Sequence, residues 1–230
     1  MLRNLVIAVL SLALGQGCAE TKQARDVGAS GFLGTDYARL KEGGDGKALL
    51  VYRDASAAWA SYDKVRLDPV TIWMGAESAF DGISAEDRQK LADDFYTALH
   101  KELSQDYQLV DEVGPGVMRI QVALTDAQSS YAVLDTISTV VPIGLAISQT
   151  KGLITGKPSF VGETQAEAKV TDGATGELLA AAIDRRVGGK SISGSIDSWD
   201  DVHSAFDYWA KQLRYRLCTE RGGQNCQMPE

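Results

Sequence analysis

Apolar residues recur three and four positions apart along two stretches of the chain, a spacing that predicts two amphipathic helices. Before each stretch a serine is followed three positions later by an aspartate, as in capping boxes: Ser84 with Asp87, and Ser198 with Asp201. We therefore expect one helix over about 85–104 and a second from 198 to about 218. Their apolar stripes consist of Leu91, Phe95, Ala98, Leu99 and Leu103, and of Val202, Phe206, Trp209, Leu213 and Leu217.

Strict alternation of apolar and polar residues predicts strands elsewhere. One strand covers 64–73 and is interrupted at Asp68-Pro69, since proline removes a ladder donor. Short and longer candidates follow at 107–110 and 118–124. The clearest pattern is a hairpin of 163–170 and 178–187 around the turn 172–176. The run Ala180, Ala181, Ala182 in its second strand suggests a face tightly covered by a helix.

These elements predict an α+β fold. We expect a two-layer domain with a mostly antiparallel sheet of about four to five strands, packed by the two main helices. The pattern supports one globular domain over 32–220, followed by a C-terminal tail at 221–230.

The N-terminal 17 residues have the three parts of a secretory signal peptide: Arg3, an apolar run from Leu5 to Leu14, and small residues before Cys18. The apolar run is shorter than the roughly 20 residues that span a bilayer. The cysteine after small residues resembles the lipobox of bacterial lipoproteins, which implies lipidation of Cys18; the alternative is an ordinary cleaved signal with a stray cysteine. The polar stretch 18–31 then predicts a lipidated, flexible tether.

The sorting of bacterial lipoproteins implies an address. With Ala19 and not aspartate after the cysteine, we expect the protein at the periplasmic face of the outer membrane, held there by its lipid anchor.

Charge and composition remove some functional classes. Acidic residues outnumber basic ones by 31 to 23, giving a net charge of −8, so a nucleic-acid partner is not expected. Two histidines and three cysteines do not suffice for a closed zinc site unless carboxylates contribute, and no cofactor or metal is expected. Assigning Cys18 to lipid leaves Cys218 and Cys226 as a disulfide candidate, the alternative being two free thiols.

The segment 132–147 is apolar but contains Pro142 and Gly144, so it does not predict a membrane span. It is either a buried helix or loop, or an exposed patch for a partner or for lipid. The partner-surface candidates are Val133, Leu134, Ile137, Val140 and Val141.

No familiar catalytic motif is present, and we expect no enzyme. Asp68 and Asp184 could form an acid pair for glycoside hydrolysis, although a turn and a cross-sheet ion pair explain them more simply. The one basic cluster, Arg185, Arg186 and Lys190, could bind an anion, a lipid headgroup or an acidic glycan, unless alternation sends the arginines to opposite faces. The two histidines, His100 and His203, fit helix surfaces. The tryptophans (Trp59, Trp73, Trp199 and Trp209) fit the core or its edge, the alternative for Trp73 being stacking on a sugar.

Several of these segments together resemble an uncharacterised bacterial lipoprotein family, domain of unknown function 3313. The resemblance rests on Gly31-Phe32-Leu33, YDKVRLDPVTIW, DRQKLADDFYTAL, TDGATGELLAAAIDRRVGGK and SWDDVHSAFDYWAKQLRYRL. It covers nearly all of the chain after the signal peptide, and it implies a secreted lipoprotein without an assigned activity.

Three functions remain open. The first is a non-enzymatic interaction or structural module of the cell envelope that docks on an envelope protein. The second is a ligand-binding module for glycan, lipid or anion. The third is a carboxylate-dependent hydrolase.

Overall fold

The computed structural model describes residues 21–24, 27–74, 79–125, 163–187 and 200–229. Helix α1 spans Ala85–Leu103 and helix α2 spans Asp200–Glu220, which confirms both predicted helices. The Ser84 hydroxyl accepts a hydrogen bond from the Asp87 backbone N–H at 3.0 Å, so the predicted N-cap of α1 is present. Neither helix is long and apolar enough to cross a membrane, nor is any other in the described ranges.

Nine strands form one mixed sheet in the described part of the chain. They are β1 (Lys22–Gln23), β2 (Lys41–Glu42), β3 (Leu50–Arg53), β4 (Lys64–Leu67), β5 (Thr71–Trp73), β6 (Gln108–Leu109), β7 (Val117–Thr125), β8 (Glu163–Asp172) and β9 (Leu178–Val187). The main order is β2-β3-β9-β8-β7-β4-β6, with β1 also beside β9 and β5 also beside β7.

The predicted sheet of four to five mostly antiparallel strands is therefore too small and too simple. The centre, β7-β8-β9, is antiparallel as expected, but β4 and β5 both run parallel to β7, and β6 runs parallel to β4. β1, β2 and β3 are two to four residues long, which is too short to show a clear alternation. The interruption at Asp68-Pro69 separates β4 from β5.

Both helices pack on one face of the sheet, here called the helix face. The rings of Phe95 in α1 and Phe206 in α2 stack with centroids 4.6 Å apart. Beneath them lie alternate residues of the strands, including Val65, Ile120 and Val170. This stacked pair fixes α2 beside α1 above the central strands.

The opposite face, here called the outer face, is covered at one end by residues 27–40. Leu33, Tyr37 and Leu40 pack there against Leu178 and Ile183 of β9. The described residues of 18–31 thus differ from the predicted flexible tether: Lys22 and Gln23 pair with β9, and 27–31 lie on the sheet. The polar groups of this stretch are satisfied by the domain, which its composition does not reveal.

Candidate functional site

Alanines line the helix face where β8 and β9 pass beneath α2. Ala168 of β8 lies directly opposite Ala182 of β9, and Ala166 and Ala180 flank this pair. Because these methyl groups are short, α2 does not close on the sheet as the alanine run suggested. A cavity of about 230 Å³ remains between them.

The inner wall of the cavity is apolar. Trp59, Phe95, Leu99, Trp209 and Leu217 contribute buried side chains from α1, α2 and the loop before β4. Val51 of β3 and Val122 of β7 extend the wall across the sheet. The space therefore suits a hydrocarbon group and offers little to a sugar.

The open end, here called the rim, carries charge. It is formed by Lys47, Arg53, Gln212, Arg216 and Glu220. Arg53 Nη2 lies 2.5 Å from Glu220 Oε2, which neutralises that carboxylate. Arg216 and Gln212 both donate to the Gly46 carbonyl oxygen, which ties the loop before β3 to α2. No ion pair to Lys47 is found among the described residues, so the rim has an excess of positive charge.

Asp184 lies at the cavity wall and is 5 % exposed. Its Oδ1 accepts from Gln23 Nε2 at 2.6 Å, and its Oδ2 accepts from Trp209 Nε1 at 2.7 Å. Arg186 Nη1 lies 3.9 Å from Oδ2. Burial raises the pKa of Asp184, while the hydrogen bonds from Trp209 and Gln23 oppose that rise. The Asp184 carboxyl group therefore links β1 to α2, and both of its oxygens already accept hydrogen bonds.

The two aspartates considered for hydrolysis are far apart. Asp68 accepts from Arg119 Nε and Nη2 at 2.9 and 2.6 Å on the outer face, whereas Asp184 contacts α2 on the helix face. Three strand spacings separate β4 from β9, or roughly 14 Å. Retaining and inverting glycosidases need about 5 to 9.5 Å, so these two carboxylates do not fit such a pair.

The basic cluster does not act as one group. Arg186 is buried, donates to the Thr21 hydroxyl at 2.7 Å and stacks over the Tyr208 ring at 3.5 Å. Strand alternation places Arg185 on the other face. Lys190 lies outside the described residues, as do Cys18, Trp199 and the partner-surface candidates Val133, Leu134, Ile137, Val140 and Val141.

A buried carboxyl group on the outer face was not recognised from the sequence. Glu167 of β8 is fully buried, accepts from the Tyr37 hydroxyl at 2.5 Å and from the Ser30 backbone N–H at 3.0 Å. Burial raises the pKa of Glu167, and burial with this hydrogen bond raises the pKa of Tyr37 to about 12. Glu167 thus fastens residues 30–37 to the sheet.

The histidines and Trp73 make contacts that hold parts of the domain together. His203 Nε2 lies 3.1 Å from Asp94 Oδ2, between α2 and α1, and the His100 ring is near that of Tyr96. Trp73 is 42 % exposed, and its Nε1 donates to the Ser30 carbonyl oxygen. The described residues contain no group of three or more side chains that could hold a metal.

A disulfide joins Cys218 at the end of α2 to Cys226 in the tail, with the Cα atoms 5.7 Å apart. Gly223 lies inside this loop, where an added Cβ would come within 2.7 Å of Cys218 Sγ. The tail then turns back, so that Met228 approaches Gly46 beside the rim. The disulfide therefore holds the tail near the open end of the cavity.

Sequence reasoning did not find the cavity. Its walls come from α1, α2, β3, β7, β8 and β9 and from two loops, so no single segment contains it. The one available signal was the alternating small residues of β8 and β9, which fit a tight contact equally well.

The fold and the site together define an α+β domain with an apolar cavity beneath one helix and a charged rim at its opening. The chain belongs to a family described as protein of unknown function DUF3313, whose model matches residues 28–213. This confirms the resemblance noted from the sequence.

Solved structures give only distant similarity. The PelC dodecamer from Paraburkholderia phytofirmans is 11% identical with a TM-score of 0.36, over 76% of this chain and 98% of that one. A DUF4136 family protein from Bacteroides thetaiotaomicron is 11% identical with a TM-score of 0.33, over 69% and 92%. None of the curated proteins matches this chain.

Proposed function

We propose that this protein is a non-enzymatic lipoprotein of the cell envelope whose domain binds an apolar chain in the cavity beneath α2. The observation that carries this proposal is the cavity itself, about 230 Å³ of space lined by alanines and large apolar side chains. For scale, an apolar cavity of about 150 Å³ accommodates benzene, so the space here suits a chain of about eight or nine carbons.

The proposed location is the periplasmic face of the outer membrane. It is supported by the signal-like sequence before Cys18 and by Ala19 after it. Strand β1 begins at Lys22, and four extended residues span at most about 14 Å. A lipid on Cys18 would therefore hold the sheet close to the bilayer, which is a source of hydrocarbon chains.

The other two functions have weaker support. Docking of an envelope protein stays a prediction, because its surface at 132–147 lies outside the described residues. The hydrolase has little support, because Asp68 and Asp184 lie on opposite faces of the sheet. Asp68 is hydrogen-bonded to Arg119 and Asp184 to Trp209. The cavity beneath α2 therefore favours the ligand-binding function over the other two.

Filling the cavity tests the proposal. Ala168→Leu and Ala182→Leu each direct a larger apolar side chain into the space, and we expect them to weaken the binding of 1-octanol at least about tenfold. Isothermal titration calorimetry on the purified domain measures this. Each variant should keep the melting temperature of the natural protein, since filling a cavity does not in general destabilise a fold.

Ala174→Leu serves as the matched control, because Ala174 is exposed in the β8–β9 turn and should leave octanol binding unchanged. Binding that survives both cavity variants, or an absence of octanol binding to the natural protein, would exclude the cavity as the site.

A further inference from the structure

The charges around the rim indicate what kind of apolar molecule the cavity admits. Its lining includes three cationic side chains, Lys47, Arg53 and Arg216, and two carboxylates, Asp184 and Glu220. Glu220 is paired with Arg53. Asp184 is occupied by Gln23, Trp209 and Arg186 and is buried. What remains exposed at the opening is therefore positive, on a protein whose net charge is −8.

Lys47 and Arg216 both line the cavity, and Arg216 reaches the backbone beside Lys47. Arg216 donates to the carbonyl oxygen of Gly46, the residue before Lys47. A guanidinium group has five N–H donors, so the contact with Gly46 leaves donors available for a second acceptor. Lys47 is exposed, and in the described part of the chain its ammonium group has no carboxylate partner. Both groups can approach an anion placed at the opening.

The interior limits the rest of the molecule. A space of about 230 Å³ holds part of one hydrocarbon chain and has no room for a second beside it. Around Asp184 the polar groups are already hydrogen-bonded to one another, whereas the buried Gln212 Oε1 at the rim has no hydrogen-bond partner among the described residues. A single chain with its charge at the opening satisfies both the wall and the rim.

We propose that the cavity binds a single-chain amphiphile with an anionic head group, which Lys47 and Arg216 hold at the rim. This inference rests on the proposed function and adds the head group. A carboxylate and a phosphate share the required chemistry: the first corresponds to a free fatty acid, the second to a single-chain phospholipid product. Charge-assisted hydrogen bonds from lysine and arginine suit either head group.

Three ligands of equal chain length separate the alternatives: octanoate, octyl phosphate and 1-octanol. At near-neutral pH and low salt, we expect at least one anion to bind about threefold to fivefold more tightly than the alcohol, the range for an exposed ion pair. Tighter binding of octanoate would indicate a free fatty acid, and tighter binding of octyl phosphate would indicate a single-chain phospholipid product. Added salt should remove this preference, because exposed charges are screened.

Lys47→Gln tests the rim without disturbing the wall, since Lys47 is exposed. We expect it to weaken binding of the preferred anion about threefold to fivefold and to leave octanol binding unchanged, while Lys47→Arg retains the preference. Lys101→Gln on the exposed surface of α1 is the matched control and should change neither affinity.

The possible failures differ. Equal affinity for all three ligands, or a Lys47→Gln variant with an unchanged anion preference, overturns the head-group inference and leaves the apolar cavity as a binding site. If no ligand binds the natural protein, both proposals fall. If the Ala182→Leu variant loses all three ligands together, the two anions bind through the same apolar cavity as the alcohol.

Discussion

Single buried polar residues set how the covering segment of the outer face responds to acidity. Glu167 is enclosed by Tyr37 and by the Ser30 backbone, and burial raises its pKa above the ordinary value of 4.5. The fold therefore favours the protonated carboxyl group. This favourable contribution to the free energy of unfolding is complete below the ordinary pKa and is lost as pH rises through the raised one.

Glu167→Gln removes that titration. We expect its free energy of unfolding, relative to the natural protein, to improve as pH is raised from below 4.5 through the raised pKa. Urea unfolding at a series of pH values gives this difference. Glu177→Gln, at the exposed end of the β8–β9 turn, is the control and should give a parallel curve. A parallel curve for Glu167→Gln would contradict the assignment.

At the scale of elements, the β8–β9 hairpin depends on one turn residue. Asp172 Oδ1 accepts from the backbone N–H groups of Ala174 and Thr175 at 2.9 and 2.7 Å. Its Oδ2 accepts from the Tyr62 hydroxyl at 2.7 Å, which connects the turn to the loop before β4. The hydrogen bond from Tyr62 lowers the pKa of Asp172. Burial, together with the same hydrogen bond, raises the pKa of Tyr62 to about 12.

Asp172→Ala should cost about 1–2 kcal/mol of unfolding free energy, because it removes the turn contacts and the Tyr62 partner together. Tyr62→Phe should cost less. The double variant should cost less than the sum of the two, since both single changes break the same contact. Equilibrium denaturation of the four proteins measures this coupling, and strict additivity would show that the contact contributes nothing.

Local signals in the sequence explain which elements were predictable. The cap at Ser84 and the apolar stripe through Phe95 predict α1 from one continuous segment. The turn at Asp172 likewise predicts the hairpin from neighbouring residues. The parallel pairing of β4 with β7 joins residues about fifty positions apart, which no local pattern records. The cavity is likewise a property of several elements that meet, whereas the alanines alone are compatible with close packing.

For the whole molecule, the disulfide determines where the chain ends. It closes a loop of eight positions after α2 and keeps Met228 near Gly46 at the rim. We expect the variant Cys218→Ser with Cys226→Ser to lose up to about 2–3 kcal/mol of unfolding free energy. Its tail after Arg221 should also be cut rapidly by proteinase K, while the rest of the domain resists.

Mass spectrometry of limited digests follows that cut, and the natural protein under oxidising conditions provides the comparison. Arg221 donates to the Asp106 carbonyl oxygen and lies over the Tyr107 ring, so its own position should survive reduction. Identical digests with and without the disulfide would show that the tail is held by other contacts.

The hydrogen bonds between Arg186 and Thr21 have a mechanical consequence. Arg186 donates to the hydroxyl and the carbonyl oxygen of Thr21, and β1 continues that contact along β9. Tension on the chain before Thr21 therefore enters a central strand directly and is not absorbed by a slack linker. Gln23 carries it on to Asp184 and so to Trp209 of α2. Pulling on the N-terminal end is thus expected to strain the wall of the cavity at Asp184 and Trp209.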